Sequence, residues 1–304
     1  MIRRAMLALL VMSGAARADL LPDGMAWREV PFTLIDGKPM LEVQVGGQTG
    51  VMMFDNGTPA SVFLNRGAAD LPPGQEVGRG TAASGQEIIA QVHPAPAVQV
   101  VGLPMATENP ARSGNFGFVE GTFGADFLGF VGMPAVQDHA ILLDYDRRVL
   151  TVARVASDGR MALPAPPAAE VLAEFAILLL PDELPMAVGA VGDQPVLLSL
   201  DTGDSGTAYL TPALHARLQA TGALTALADG RVRLTGVAMG GVDLGAVEMA
   251  LIMAGSPQDR RGSGQPDELR LGAGFLASHP MIWNLAAKRI TLVRRGSPYL
   301  MPRD

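Results

Sequence analysis

Two aspartates stand in the same local sequence pattern, and acids of this kind can do acid–base chemistry. Asp55 follows the apolar run VMMF and Asp201 follows LLSL, and in each case one further residue and then a glycine come next. An Asp-x-Gly turn by itself is a common polar corner of a hairpin. The glycine also permits a close backbone approach, so that its amide can face the carboxylate. Either copy alone predicts only an acid that caps a turn.

An internal repeat relates the two aspartates. Residues 39–64 and 185–210 align without gaps at a constant offset of 146 residues. The identical pairs are Pro39/Pro185, Met40/Met186, Val45/Val191, Gly46/Gly192, Gln48/Gln194, Asp55/Asp201, Gly57/Gly203 and Leu64/Leu210. Downstream, GTFGADFL (121–128) matches LRLGAGFL (269–276) at an offset of 148. Two copies predict two similar lobes packed as a pseudo-dimer, whose two-fold axis would bring the two Asp-x-Gly loops together.

Two aspartates across such an axis predict a specific chemistry. Like charges so close cannot both ionise easily, so the pair would hold one proton between them. One member could then act as a base toward a water, while the protonated member donates a hydrogen bond to a substrate carbonyl. This is hydrolysis of an amide without a metal, a cofactor or a covalent intermediate. The sequence has no cysteine, and its four histidines lie far apart, so neither a metal site nor a cofactor site is predicted.

The elements that must position these acids are mostly strands. Segments rich in branched residues alternate with turns drawn from 36 glycines and 23 prolines, which predicts an all-β protein with few short helices, one of them at residues 213–222. The repeat predicts two similar β-barrel-like lobes related by pseudo-two-fold symmetry. We expect a signal peptide at 1–18, an N-terminal lobe at 19–160, a Pro-rich linker at 161–170 and a C-terminal lobe at 171–304.

These motifs together resemble the pepsin/retropepsin-like aspartic protease family, in particular exported bacterial proteins with two lobes. The resemblance rests on D-N-G-T at 55–58, D-T-G-D at 201–204, and the glycine signatures TFGADFL and RLGAGFL. It implies Asp55 and Asp201 as the catalytic dyad of an aspartic endopeptidase that binds a peptide between its lobes. The residues implied to support the dyad loops are Asn56, Gly57, Thr58, Thr202 and Gly203.

The sequence departs from that family pattern at three places. Asn56 replaces the usual hydroxyl residue after the first aspartate, and Asp204 replaces a small or hydroxyl residue after the second Asp-x-Gly. A further carboxylate near the dyad would raise its apparent pKa values. The candidate flap, residues 78–92, has none of the three tyrosines of the chain. Its possible flap residues are Gly80, Thr81, Ser84 and Gly85, and an ordinary surface hairpin is the alternative.

The N-terminal residues predict export. MIRR gives a positive start, AMLALLVM a short apolar segment, and Ala16-Arg17-Ala18 a small-x-small cleavage site, with a retained anchor as the alternative. Removing residues 1–18 takes away three arginines and changes the net charge from −7 to −10. We therefore expect a periplasmic or secreted protein with no nucleic-acid partner and no stable membrane span after cleavage. Because the duplication supplies both aspartates, a monomer acting on a peptide or an unfolded protein is expected.

Three functions compete at this stage. The first is an exported aspartic endopeptidase, and the second is a catalytically silent peptide-binding or scaffold protein that keeps the two-lobed cleft. Asn56 and Asp204 favour the silent protein. The third is an unrelated β-rich hydrolase or carbohydrate-binding module, which the shared register around Asp55 and Asp201 disfavours.

Overall fold

The fold is taken from a computed structural model, which describes residues 20–82, 85–180, 184–206, 208–252, 255 and 267–300. Up to residue 160 the strands are β1 (Trp27–Ile35), β2 (Lys38–Val45), β3 (Gln48–Asp55), β4 (Val62–Asn65), β5 (Gln75–Thr81), β6 (Glu87–His93), β7 (Val98–Val100), β8 (Leu103–Met105), β9 (Ala111–Gly114), β10 (Phe127–Gly132), β11 (His139–Asp144) and β12 (Val149–Arg154). The later strands are β13 (Val171–Ala176), β14 (Met186–Val191), β15 (Gln194–Leu200), β16 (Ala208–Leu210), β17 (Leu224–Ala226), β18 (Val232–Leu234), β19 (Val237–Met239), β20 (Val242–Asp243), β21 (Val247–Leu251), β22 (Glu268–Leu271), β23 (Met281–Asn284) and β24 (Arg289–Val293). The α-helices are α1 (Glu120–Phe123), α2 (Pro212–Gln219) and α3 (Ala273–Ser278).

In the described part of the chain these strands form two sheets. The order in the larger sheet is β13-β24-β23-β11-β12-β1-β2-β3-β10-β4-β9-β6-β5, with β7 and β8 attached beside β2. The smaller sheet has the order β17-β18-β21-β16-β22-β15-β14-β19-β20. Strands β11 and β23 pair with each other, so the larger sheet joins early and late parts of the chain. The protein is mostly β with few short helices, which confirms the predicted fold class.

Hydrophobic side chains fill the inside of these sheets. Strand β2 alternates buried and exposed residues along most of its length, whereas every residue of β10 and β11 is buried. Alternation is typical of a strand with one wet face, and a continuous apolar run is typical of a strand covered on both faces. The predicted helix at 213–222 is present as α2, where the Thr211 side chain accepts a hydrogen bond from the Leu214 amide.

The strand pairing repeats with the sequence. Strands β2 and β3 form a hairpin that pairs Met40 with Met53, and β14 and β15 form a hairpin that pairs Met186 with Ser199. These positions are 146 residues apart, as the alignment predicts. Strand β10 then lies parallel to β3 and antiparallel to β4, while β22 lies parallel to β15 and antiparallel to β16. The two equivalent four-strand units are therefore β2-β3-β10-β4 and β14-β15-β22-β16. Asp55 ends the inner strand β3 of the first unit, and Asp201 follows the inner strand β15 of the second.

The second part of the alignment was wrong about which glycines correspond. Gly132 ends β10 beside Asp55, and Gly272 follows β22, which pairs with β15 up to Leu200, the residue before Asp201. A Cβ on Gly132 would lie 2.4 Å from the Thr58 carbonyl oxygen, and one on Gly272 would lie 3.1 Å from that of Asp204. Because Thr58 and Asp204 are counterparts, Gly132 and not Gly124 is the equivalent of Gly272. The true offset there is 140 residues, and FVG at 130–132 replaces TFG at 122–124 as the match to RLG.

The predicted signal peptide and linker are covered only in part by the described residues. The expected signal peptide at 1–18 lies outside the described residues. No helix within the described ranges is long and apolar enough to cross a bilayer. The Pro-rich stretch at 161–170 precedes β13, which pairs with β24 at one edge of the larger sheet, and its role as a linker stays a prediction.

Candidate active site

Asp55 is the last residue of β3, and its carboxylate is held by its own loop. The Gly57 amide donates to Oδ1 at 2.8 Å, and the Thr58 hydroxyl donates to Oδ2 at 2.7 Å. Both oxygens therefore accept a hydrogen bond from a neutral donor. Donors of this kind stabilise the ionised form of a carboxyl group.

Asp201 directly follows β15 and has a different environment. The Gly203 amide donates to Oδ1 at 2.9 Å, which repeats the Gly57 contact. The counterpart of Thr58 is Asp204, whose Oδ1 accepts a hydrogen bond from the Gly206 amide at 2.8 Å. The loop of Asp201 thus has a carboxylate where the loop of Asp55 has a hydroxyl donor.

Reciprocal hydrogen bonds join the two loops. The Thr202 hydroxyl accepts from the Asn56 amide at 3.0 Å and donates to the Phe54 carbonyl at 3.0 Å. On the other side, Asn56 Oδ1 accepts from the Thr202 amide at 2.9 Å, and Asn56 Nδ2 donates to the Leu200 carbonyl at 2.9 Å. Asn56 and Thr202 are both buried. The carboxamide of Asn56 therefore makes, with two atoms, the donor and acceptor contacts that one hydroxyl makes on the facing loop.

These contacts bring the two acids to one place. Gly203 lies against the Asp55 carboxylate, since a Cβ on Gly203 would be 2.5 Å from Asp55 Oδ1. Glycine at 203 is therefore needed because the loop of Asp201 approaches the Asp55 carboxylate directly. Sequence analysis expected five residues to support these loops, and all five, Asn56, Gly57, Thr58, Thr202 and Gly203, lie in contact with the two aspartates or with the bonds that join their loops.

The electrostatics of the pair are unequal. The pKa of Asp201 is raised to about 7, first by burial of the carboxyl group and then by the nearby charges of Asp55 and Asp204. Arg270 and the Gly203 amide act in the opposite direction. Because Asp55 has two neutral donors and Asp201 has two carboxylate neighbours, the arrangement favours a proton on Asp201 and a charge on Asp55.

A cavity of about 530 Å³ opens above Asp55. Its apolar wall consists of Met53, Phe63, Ile88, Phe116, Phe123 and Phe130. The hairpin of β5 and β6 supplies another wall through residues 77–82, so the predicted flap residues Gly80 and Thr81 line the cavity. Gly85 lies in the turn of this hairpin, where its amide donates to Ala82 at 2.9 Å. Ser84 lies outside the described residues.

The residues that line the cavity come almost entirely from the N-terminal half of the chain. Every lining residue except Gly203 precedes residue 131, so the described lining lies on the Asp55 side of the pair. Within the described chain, no group of three or more His, Asp or Glu is arranged to hold a metal ion. The described part of the site combines the two acids and their loops with a pocket whose lining is largely apolar.

Comparison with known proteins gives one informative result. No family model and no curated protein matches the sequence. Among solved structures, the chain is similar to an aspartic proteinase from Irpex lacteus, with a TM-score of 0.53 and 13% sequence identity. The similarity covers 89% of this chain and 98% of that one. The chain has a pepsin-like fold. At this identity the pepsin-like similarity establishes the fold and leaves the activity to be argued from the site.

The side chains that surround the two acids were not predicted from the sequence. The apolar cluster around Phe116 and Phe130 was not predicted, nor were the buried Arg270 and Glu268 behind Asp201. The gapless offset of 146 carried a usable signal, because it sets Ser199 opposite Met53 and Tyr209 opposite Phe63. Phe130 and Arg270 could not be matched in this way, since the offset had changed by six residues there.

Proposed function

We propose that the chain is an exported aspartic endopeptidase in which Asp55 and Asp201 activate water for hydrolysis of a peptide bond. The observation that carries the proposal is the reciprocal bonding of Asn56 and Thr202, which joins the two acid loops at the floor of a peptide-sized cavity. The contacts of Asn56 support the proposal, because they match the cross-loop contacts expected of a hydroxyl residue.

The two acids divide the chemistry according to their surroundings. Asp55 takes a proton from a water whose oxygen forms a bond to the substrate carbonyl carbon, and Asp201 gives its proton to the carbonyl oxygen. The tetrahedral intermediate then collapses. The proton held by Asp55 passes to the nitrogen, a hydroxyl proton of the intermediate returns to Asp201, and the C–N bond breaks to give a carboxylic acid and an amine. Both side chains end in their starting protonation states.

The remaining parts of the proposal follow the sequence. We propose that residues 1–18 direct export and are removed, and that the mature protein acts as a periplasmic or secreted monomer without a cofactor. An unfolded protein or a peptide is the proposed substrate, held between the apolar pocket and the β5–β6 hairpin. Membership of the bacterial retropepsin-like group is likewise a proposal, based on the paired Asp-x-Gly motifs.

One observation favours the alternative of a silent peptide-binding or scaffold protein. Asp204 offers a carboxylate to the neighbourhood of Asp201, whereas Thr58 offers a hydroxyl donor to Asp55. If the extra charge prevented Asp201 from giving up and regaining its proton, the cleft would bind a peptide without cleaving it. The raised pKa of Asp201 is instead compatible with a single shared proton at mildly acidic pH.

The test is cleavage of an unfolded protein by the mature chain between pH 3 and pH 8, with and without a statine-type mimic of the tetrahedral intermediate. We expect cleavage with a mildly acidic optimum, inhibition by the mimic, and loss of activity in Asp55→Asn and Asp201→Asn. Undiminished cleavage by both variants would exclude this mechanism. Absence of cleavage by the parent, together with tight binding of the mimic, would identify the silent protein.

A further inference from the structure

The walls of the cleft can be compared position by position, because the two four-strand units have the same register. Phe130 pairs with Met53 on one side and with Phe63 on the other. Arg270 pairs in the same way with Ser199 and with Tyr209. Met53 and Ser199 also stand two residues before Asp55 and Asp201, so each shares a face of its strand with the acid. The three pairs of counterparts are therefore Met53/Ser199, Phe63/Tyr209 and Phe130/Arg270.

The wall beside Asp55 is largely apolar, and the charged side chains that also line the cavity, Asp36, Lys38, Arg79 and Arg112, are held in ion pairs. Met53, Phe63 and Phe130 line the cavity, and the ring of Phe116 packs edge-on against Phe63 and Phe130 with centroids 4.9 and 4.8 Å away. The aromatic part of this wall gains free energy when it covers a large apolar side chain. The Asp55 side is thus suited to an aromatic or a large aliphatic residue of the substrate.

The counterparts of this wall beside Asp201 are polar at all three positions, Ser199, Tyr209 and Arg270. Glu268 Oε1 accepts hydrogen bonds from the Ser199 hydroxyl at 2.5 Å and from Arg270 Nη2 at 3.2 Å. Ser199, Glu268 and Arg270 are all buried. The Tyr209 side chain hydrogen-bonds to Asp204, and a Cβ on Gly206 would lie 2.5 Å from the Tyr209 hydroxyl. These side chains replace the apolar lining of the other lobe with a bonded polar cluster.

The charges in this polar cluster do not cancel. Glu268 and Arg270 form an ion pair, which leaves the Asp204 carboxylate beside Asp201 as the remaining charge of the described residues there. Asp36, across the cleft near Ser205, is balanced by Lys38 at 2.8 Å. The described residues therefore leave a net negative charge on the Asp201 side, which would attract a cation and repel an anion.

We propose that the Asp201 side of the cleft selects a basic side chain, so that the bond presented to the aspartates joins a large apolar residue to a lysine or an arginine. The inference rests on the proposed function, since it names the substrate class of the same site. It gives Asp204 a role in recognition, as the group that pairs with the substrate cation. Tyr209 and the Gly206 amide orient Asp204, and the Arg270–Glu268 pair keeps the wall behind it from attracting a second substrate charge.

The experiment measures binding first, so that it does not depend on catalysis. Hydroxyethylene isosteres of a hexapeptide are made with Phe on one side of the replaced bond and Lys, Leu or Glu on the other, in both orders. Their dissociation constants are measured by calorimetry at pH 6 for the parent, for Asp204→Asn and for Asp193→Asn, whose exposed carboxylate gives a matched change in net charge. Cleavage of the corresponding amide peptides is measured alongside.

In one of the two orders we expect lysine to bind about fivefold more tightly than leucine and leucine about fivefold more tightly than glutamate, as a partly exposed charge pair provides. Asp204→Asn should remove this ranking and Asp193→Asn should keep it. Equal affinities for lysine, leucine and glutamate in the parent would overturn the inference while leaving the proposed function intact. Failure of the whole series to bind would contradict the proposed function itself. Binding with the expected ranking but without cleavage would support the inference and identify the silent protein.

Discussion

Asp204→Thr is the substitution whose effect the site geometry specifies most fully. It removes the carboxylate that helps raise the pKa of Asp201, and it introduces the hydroxyl that Thr58 provides to Asp55 in the other loop. A neighbouring like charge disfavours the ionised carboxylate, and a contribution of about 1.4 kcal/mol corresponds to about one pKa unit. A new hydroxyl donor to the charged form lowers the pKa further. The pKa of Asp201 should therefore fall from about 7 by at least about one unit.

The assay is the pH dependence of kcat/KM on a fluorogenic peptide, since this quantity reports ionisations of the free enzyme. Activity needs one proton on the pair, so the alkaline limb should lie near pH 7 in the parent and at least about one unit lower in Asp204→Thr. Asp193→Asn serves as the control, because it removes an exposed carboxylate in the β14–β15 turn. An alkaline limb that stays in place or moves upward in Asp204→Thr would refute the electrostatic reasoning.

Three further predictions concern the loops and the stability of the fold. Asn56→Leu leaves the Thr202 amide and the Leu200 carbonyl without their partners. It should lower the free energy of unfolding in urea by about 2–5 kcal/mol, whereas Asn56→Thr should lower it by less than about 1 kcal/mol. Equal losses would contradict the cross-loop role of Asn56. Gly203→Ala places a methyl group 2.5 Å from Asp55 Oδ1 and should abolish activity, while Gly121→Ala, whose Cβ meets nothing within 4 Å, should keep it; an active Gly203→Ala would show that the loops do not approach as described. The folded state raises the pKa of Asp201 from 3.8 to about 7, so folding favours the protonated acid. The free energy of unfolding should therefore be highest below the unfolded pKa, and it should fall by up to about 4 kcal/mol as the pH rises to about 7. Urea unfolding from pH 4 to pH 8 should show this slope in the parent and a flatter profile in Asp201→Asn, and identical profiles would contradict the assignment.

The sequence predicted those parts of the site that the repeat preserves without gaps. The offset of 146 correctly related β2 and β3 to β14 and β15, and it placed Asn56 opposite Thr202 across the interface. The downstream match at an offset of 148 was wrong because identical letters selected GADFL and GAGFL, whereas the fold requires a glycine where a strand meets the acid loop. Only the backbone approach of Gly132 to Thr58 distinguishes the correct glycine.

Other features depend on contacts that no local pattern encodes. The hydrogen bond from Asn56 Nδ2 to the Leu200 carbonyl joins residues 144 positions apart, so the cross-loop contacts of Asn56 are visible only in three dimensions. The polar cluster beside Asp201 was also hidden from the sequence. Ser199 and Arg270 are recognised as counterparts of Met53 and Phe130 only when the strand register is known.

The most direct test of the account is a double-mutant cycle on kcat/KM with Asp55→Asn, Asp201→Asn and the combined variant. Two acids that share one proton and one water act as a unit, so each single substitution should lower kcat/KM by on the order of 10³-fold or more. The kcat/KM of the combined variant should then be about the same as that of the less active single variant. Losses that multiply in the combined variant, or a single variant that retains activity within about tenfold of the parent, would contradict a shared catalytic site.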